Sequence, residues 1–240
     1  MMSTISILDN IDMFGLPVYV FNNPMHEKYK NDLLSEVEIG KTEIPVGADK
    51  DEIVNYMSGL NDTTQFIKRD SESMNCLREV LSSCLDFYYY QILKTKFESG
   101  SSWGYLRSWA ISFLDLYHSR KEHKHFHGHF MSCVTAVYYL RYPEGSGAIT
   151  FKNNPDRHHI FYNLTHEGLN DCKTLQPNEG NIILFPSCLL HAVEASTPES
   201  YPYRCTIVAD TCPDVITTPD DLSRINSFHI ERVPLTPIPK

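Results

Sequence analysis

From Gly100 onward the chain is cut into short runs, and that texture constrains the fold more than any other feature of it. Residues 105–117, 134–142, 148–152, 160–164, 181–185, 189–193 and 203–209 are rich in Val, Ile, Thr and aromatic residues. Pro143, Gly145, Gly147, Pro155, Gly168, Pro177, Gly180, Pro186 and Pro198 separate them. β-Branched and aromatic side chains suit a pleated, half-buried surface, whereas Gly and Pro mark turns. Frequent turns with no long helix between the runs predict an antiparallel sandwich or barrel rather than βαβ units.

The first hundred residues read as mainly helical. Leu33, Leu34 and Val37 share one helical face, and Asn31 or Asp32 can begin that turn. Residues 71–96 carry the clearest helical period, in Leu77, Val80, Leu81, Cys84, Leu85 and Tyr88. Ser71 and Glu72 fit its start and Gly100 its close. Beyond Thr211 the chain is rich in proline and predicts an irregular arm, with a short helix at 220–225. The expected organisation is one domain over 1–240: helical support in 1–100, a β core in 101–212 and a proline-rich arm in 213–240.

Composition removes several classes. With 240 residues, 42% hydrophobic and 21% charged, the chain can bury a substantial core and is not disordered in composition. A net charge of −9 argues against a nucleic-acid partner, since phosphate binding needs concentrated Lys and Arg. The most apolar stretch, 182–193, is interrupted by Pro186, Ser187 and His191 and is too short to span a bilayer, so no membrane partner is expected. Seven cysteines, none in a Cys-x-x-Cys pair, read as reduced thiols of a cytoplasmic protein. Nothing in the sequence sets the oligomeric state.

His123, His125, His127 and His129 alternate in EHKHFHGHF. In an extended strand residues i and i+2 face the same side, so a pair such as His127 and His129 can chelate one ion. A third ligand must come from elsewhere, and His191, after the apolar run 181–185 and the turn Pro186-Ser187, is the candidate. Imidazole suits Fe(II), Zn and Cu about equally, so these residues alone leave the metal open. A polar histidine-rich loop and a hydrogen-bonded core histidine are the plainer alternatives.

The surrounding order of motifs narrows this. After His129 come VTAVYYLRYPEGSGAITF, then NEGNIILFPSCLLHAVEAS, then YRCTIVADT. This order resembles the 2-oxoglutarate/Fe(II)-dependent dioxygenase superfamily. It is most similar to a small group of 2OG-Fe(II) oxygenases with an His-x-His start, a Ser/Thr-x-Val-Tyr-Tyr strand, a Gly-Ser-Gly turn and a Phe-Pro-Ser turn before the last histidine. The opening MFGLPVYVF is similar to that group's N-terminal segment. The prolyl-hydroxylase-like branch has a similar Val-Thr-x-Val/Ile-Tyr-Tyr-Leu strand.

The resemblance implies a mainly β fold with flanking helices, built on a double-stranded β-helix of the jelly-roll or cupin type. It places His127, His129 and His191 as the catalytic metal ligands and leaves His123 and His125 outside the set. It implies Fe(II), 2-oxoglutarate and O2 as cofactor and cosubstrates. Arg204, with Thr206 beside it, would hold the far carboxylate of 2-oxoglutarate in a two-point fork. Tyr139 and Thr135 would line the same pocket. The sequence departs from most of the superfamily at His129, where Asp or Glu is usual. By charge alone, a carboxylate there would bind Fe(II) at least as tightly.

The expected reaction is hydroxylation, or a related C–H oxidation, of a small-molecule or amino-acid-like substrate. Trp109, Phe113 and Tyr117 are candidates to line or buttress the barrel, and Arg157, His158 and His159 to sit in a loop near the site. Two rivals stand beside this reading. One is a three-histidine metal oxygenase of cupin type that uses no 2-oxoglutarate, which an exposed Arg204 would favour. The other is a non-catalytic metal-binding β-barrel.

Overall fold

Alternation along residues 134–140 builds two cores at once. Val134, Ala136, Tyr138 and Leu140 are buried on one side, and Val137 and Tyr139 on the other. A strand buried on both faces needs a cover on each. In the computed structural model, which describes residues 5–42, 66–96, 102–112, 126–129, 132–153, 172–194, 196 and 204–213, helices cover one face and a second sheet the other.

The elements in chain order are β1 (Ser6–Met13), β2 (Leu16–Asn22), α1 (His26–Thr42), a short 3₁₀ turn (Phe66–Lys68), α2 (Glu72–Asp86), β3 (Trp103–Ser112), β4 (Val134–Arg141), β5 (Ile149–Lys152), β6 (Cys172–Leu175), β7 (Asn181–Pro186), β8 (Leu190–Val193) and β9 (Cys205–Pro213). A six-stranded sheet runs in the order β1-β2-β7-β4-β9-β3, and a three-stranded sheet runs β6-β5-β8. All pairings are antiparallel. Strand β3 pairs with β9, His127 with His191, β4 with β7, and β5 with β6. This nesting is one long hairpin folded back across two facing sheets, which is the double-stranded β-helix. The fold class expected from the sequence is the one observed.

The helices follow their sequence signals with small shifts. Ser71 caps α2, its hydroxyl accepting from Met74 N–H at 3.3 Å. After Asp86 the helix widens into one π-helical stretch, Phe87–Ile92, that buries Tyr88 and Tyr89. Helix α1 begins at His26, five residues before Asn31. Its buried face, Tyr29, Leu33 and Val37, packs into the helix-side core.

His26 ties α1 to the sheet through a 2.6 Å hydrogen bond between Nδ1 and the Tyr138 hydroxyl. Gly180 makes that approach possible. It turns with φ +85°, and a Cβ there would lie 3.2 Å from the His26 ring. Lys30 pairs with Glu179, whose other oxygen accepts the Tyr142 N–H at 2.8 Å.

Two features differ from the sequence reading. The N-terminal part also contributes the β1–β2 hairpin, which extends the large sheet beyond β7. Strand β6 forms at 172–175, where no strand is expected. The expectations for 160–164, the 213–240 arm with its helix at 220–225, Gly100, Phe113, Tyr117, His123, His125, Arg157, His158 and His159 lie wholly or mostly outside the described residues, as does the side chain of Trp109.

Candidate metal centre

His127 and His191 exchange both backbone hydrogen bonds, N–H of 127 to O of 191 at 3.0 Å and N–H of 191 to O of 127 at 2.9 Å. Directly opposed residues of an antiparallel pair project to one face. His129 returns to that face two residues on, and its N–H bonds the Ser187 carbonyl at 2.9 Å. Gly128 between them explains the His-Gly-His spelling. A Cβ at this position would lie 3.2 Å from the Ser187 carbonyl oxygen, so a larger residue would push the segment off the β7–β8 turn.

The three rings close on one point. Their centroids are 4.4 Å apart for 127–191, 4.9 Å for 129–191 and 5.4 Å for 127–129. One nitrogen from each lies within 4.8 Å of the others. Nitrogens bound about 2.1 Å from one ion lie at most about 4.2 Å apart, so a small ring rotation completes the site. His191 and His129 are buried and His127 is exposed, which puts the cluster at the mouth between the sheets. Phe185 and Phe151 pack against His191, with centroids at 4.8 and 6.3 Å.

Hydrogen bonds select the free nitrogen. His191 Nδ1 is 3.0 Å from the Leu189 carbonyl, which can only accept, so Nδ1 carries the proton and Nε2 the lone pair. His129 Nδ1 is 2.7 Å from Asp210 Oδ1. Thr135 Oγ1 donates to the same oxygen at 2.8 Å, and the Ser187 hydroxyl lies 2.8 Å from Thr135 Oγ1. Asp210, Ser187 and Ser132 are site residues that the sequence reading missed. The available signal was parity: Arg204, Thr206, Val208 and Asp210 share a face of one strand.

Burial, then the neighbouring His127 and His129, push the His191 imidazole down to about 3. A neutral imidazole is the form a metal needs. The unfolded chain takes up this proton near pH 6.5 and the folded chain only near 3. His191 therefore favours the fold fully above pH 6.5, and that contribution is lost as pH falls through the interval. For metal-free protein the loss is about 2 kcal/mol by pH 5. Urea midpoints at pH 7 and 5 check this. His191→Gln should flatten the dependence, and equal slopes in both proteins would assign the acid sensitivity elsewhere.

The other sequence-predicted residues lie farther along the inner face. Arg204 is 2% exposed, and its guanidinium carbon sits 5.9 Å from the Tyr139 ring centroid and 5.8 Å from that of Tyr142. Thr206 is buried and opposes Tyr139 across β4–β9. Burial raises the Tyr139 phenol and Arg204 counters it, so the phenol stays neutral. Thr135 lies four residues from Tyr139, about 13 Å along the strand. Its hydroxyl is taken up by Asp210 and Ser187 beside His129, at the metal end of the face rather than the Arg204 end. Val137 and Val208 form the floor between the two ends.

Residues 107–210 match the family described as "Putative 2OG-Fe(II) oxygenase". The matched stretch holds all three histidines, Arg204 and Asp210. This segment is similar to a 2OG-Fe(II) oxygenase domain, a family whose description implies Fe(II), 2-oxoglutarate and O2. The three-imidazole donor set fits such an ion. No curated protein sequence matches the chain.

Among solved structures, "Non-heme monooxygenase, ThoJ-Ni complex" is similar at 8% identity and TM-score 0.45, over 79% of this chain and 70% of that one. A prolyl hydroxylase in complex with a hypoxia inducible factor oxygen degradation domain peptide fragment, from Trichoplax adhaerens, is similar at 16% identity and TM-score 0.43, over 81% and 82%. IDO from Bacillus thuringiensis is similar at 9% identity and TM-score 0.45, over 82% and 90%.

Proposed function

We propose that this protein is an Fe(II)- and 2-oxoglutarate-dependent hydroxylase of a small-molecule or amino-acid-like substrate. His127, His129 and His191 hold the ion, and Arg204 anchors the far carboxylate of 2-oxoglutarate. The observation that carries the reading is the buried guanidinium of Arg204 on the same inner face as the histidine cluster. Guanidinium matches a carboxylate in a two-point fork, and a closed site strengthens such a pair.

Thr206 adds a hydroxyl beside that fork. Tyr139 and Tyr142 lie beside the guanidinium, and Tyr142 donates to the Ser146 and Gly147 carbonyls at 3.1 and 2.9 Å. Val137, Val208, Phe151 and Phe185 keep the interval between the ends apolar and exclude water. Bound Fe(II) with the keto acid supplies oxygen activation, coupling oxidative decarboxylation of 2-oxoglutarate to oxidation of a substrate C–H bond. His127, exposed at the mouth, marks the side from which substrate arrives.

An exposed Arg204 would favour the three-histidine cupin alternative, and the burial of that residue weighs against it. None of the seven cysteines is in a disulfide, which supports a reducing, cytoplasmic setting, and no described helix is long and apolar enough to cross a membrane. The domain reading also stands as part of this proposal: one domain, with 101–212 as the catalytic core. The test is conversion of 2-oxoglutarate to succinate and CO2 by Fe(II)-loaded protein in air. Slow turnover that an accepted amino-acid-like substrate accelerates is expected. Oxygen uptake that ignores 2-oxoglutarate would favour the cupin alternative, and no uptake with any substrate, despite tight metal binding, the non-catalytic barrel.

A further inference from the structure

Three neutral imidazoles leave a divalent ion without a charged protein ligand, whereas the two-histidine-one-carboxylate set supplies one. The missing carboxylate has a counterpart one bond further out. Asp210 is fully buried on the inner face of β9, and its Oδ1 lies 2.7 Å from His129 Nδ1. A chain of hydroxyls converges on the same oxygen. Thr135 donates to it at 2.8 Å, Ser187 lies 2.8 Å from Thr135, and Ser132 lies 2.7 Å from Ser187. With Thr135 donating to Asp210, the Ser187 hydroxyl donates to Thr135, and the Ser132 hydroxyl lies within reach of Ser187 and of the Val134 and Thr211 carbonyls. Asp210 is thus held as an acceptor, and His129 must be the donor in their bond. The register agrees, since Thr135 and Asp210 are direct partners across β4–β9.

We infer that Asp210 is a positioning residue that carries the centre's negative charge through His129, in place of a carboxylate on the ion itself. The inference rests on His129 being a metal ligand, as proposed above. Asp210 fixes the Nδ1–H tautomer, aims Nε2 at the ion and makes that nitrogen a stronger donor. This changes what His129→Asp should do. Charge alone predicts binding at least as tight. In this site the substitution leaves the buried Asp210 without its His129 donor and puts a second carboxylate beside it, so metal binding falls. Asp210→Asn in the same protein removes the repulsion and offers an amide donor to the new ligand.

The experiment uses the full chain and Co(II), titrated by calorimetry and by its visible d–d bands. Asp210→Asn should weaken Co(II) binding about 10- to 100-fold with the thermal midpoint little changed. His129→Asp should also bind weakly, and His129→Asp/Asp210→Asn should bind at least tenfold more tightly than His129→Asp alone. Wild-type affinity in Asp210→Asn, or no recovery in the double variant, would overturn the inference. If Asp210→Asn does not fold, nitrogen NMR of the metal-free wild-type protein at neutral pH decides. His129 protonated at Nδ1 supports the assignment and Nε2–H overturns it. Wild-type protein that takes up no Co(II) would overturn the three-histidine reading itself; a failure confined to the variants would remove Asp210 alone.

Discussion

His191→Ala is expected to purify without iron and to bind added Fe(II) at least about 100-fold more weakly than the parent, beyond the usual loss from removing a ligand's supporting partner. His191 is 4% exposed, with its Nδ1 committed to Leu189 and its Nε2 facing His127 and His129. Alanine removes that nitrogen and leaves an apolar gap beside Phe185 that water fills poorly. His127→Ala and His129→Ala should lose iron comparably. His123→Ala and His125→Ala should not, because the resemblance places those histidines outside the ligand set. Metal analysis of the five purified variants checks this. Full occupancy in His191→Ala would end the three-histidine site.

Arg204→Ala should leave Fe(II) binding intact and raise the 2-oxoglutarate concentration needed for half-saturation steeply. Removing one partner of a charge pair in a closed site costs about 2–5 kcal/mol, roughly 30-fold to more than 1000-fold. Arg204→Lys should fall between, since an ammonium keeps the charge and loses the fork. The readout is the midpoint of an anaerobic 2-oxoglutarate titration of Fe(II)-loaded protein. An unchanged midpoint in Arg204→Ala would take Arg204 out of the cosubstrate site.

The legible parts of the fold were those with strong local signals. Strands β4 and β7 are largely apolar on both faces and β9 on its helix-facing side, all are bounded by turns, and their runs stood out. The period in α2 and its Ser71 cap did the same for the helical part. Strand β6, Cys-Lys-Thr-Leu at the edge of the small sheet, is only partly covered and shows no apolar alternation. Strand β1 is likewise an edge, mostly exposed, and becomes a strand only because β2 pairs with it. Edge strands hide in a sequence because their stability comes from a neighbour rather than from their own pattern.

The site was legible as a set of residue types and illegible as a geometry. His127 and His129 follow from alternation, but their meeting with His191 depends on a backbone pair 64 residues apart. For Asp210 the sequence offered only its parity with Arg204, and that could not name a partner. The β4–β9 register is what sets it opposite Thr135, beside His129. Thr135, read as a cosubstrate contact, has its hydroxyl directed to Asp210 for that same reason.

The most direct measurement of the central claim is an anaerobic titration of the Fe(II)-loaded wild-type protein with 2-oxoglutarate, followed in the visible. A weak charge-transfer band that grows, saturates and requires both components is the predicted result, because the keto acid must reach the ion while Arg204 holds its far end. Protein that retains Fe(II) and develops no band at saturating 2-oxoglutarate would contradict the account.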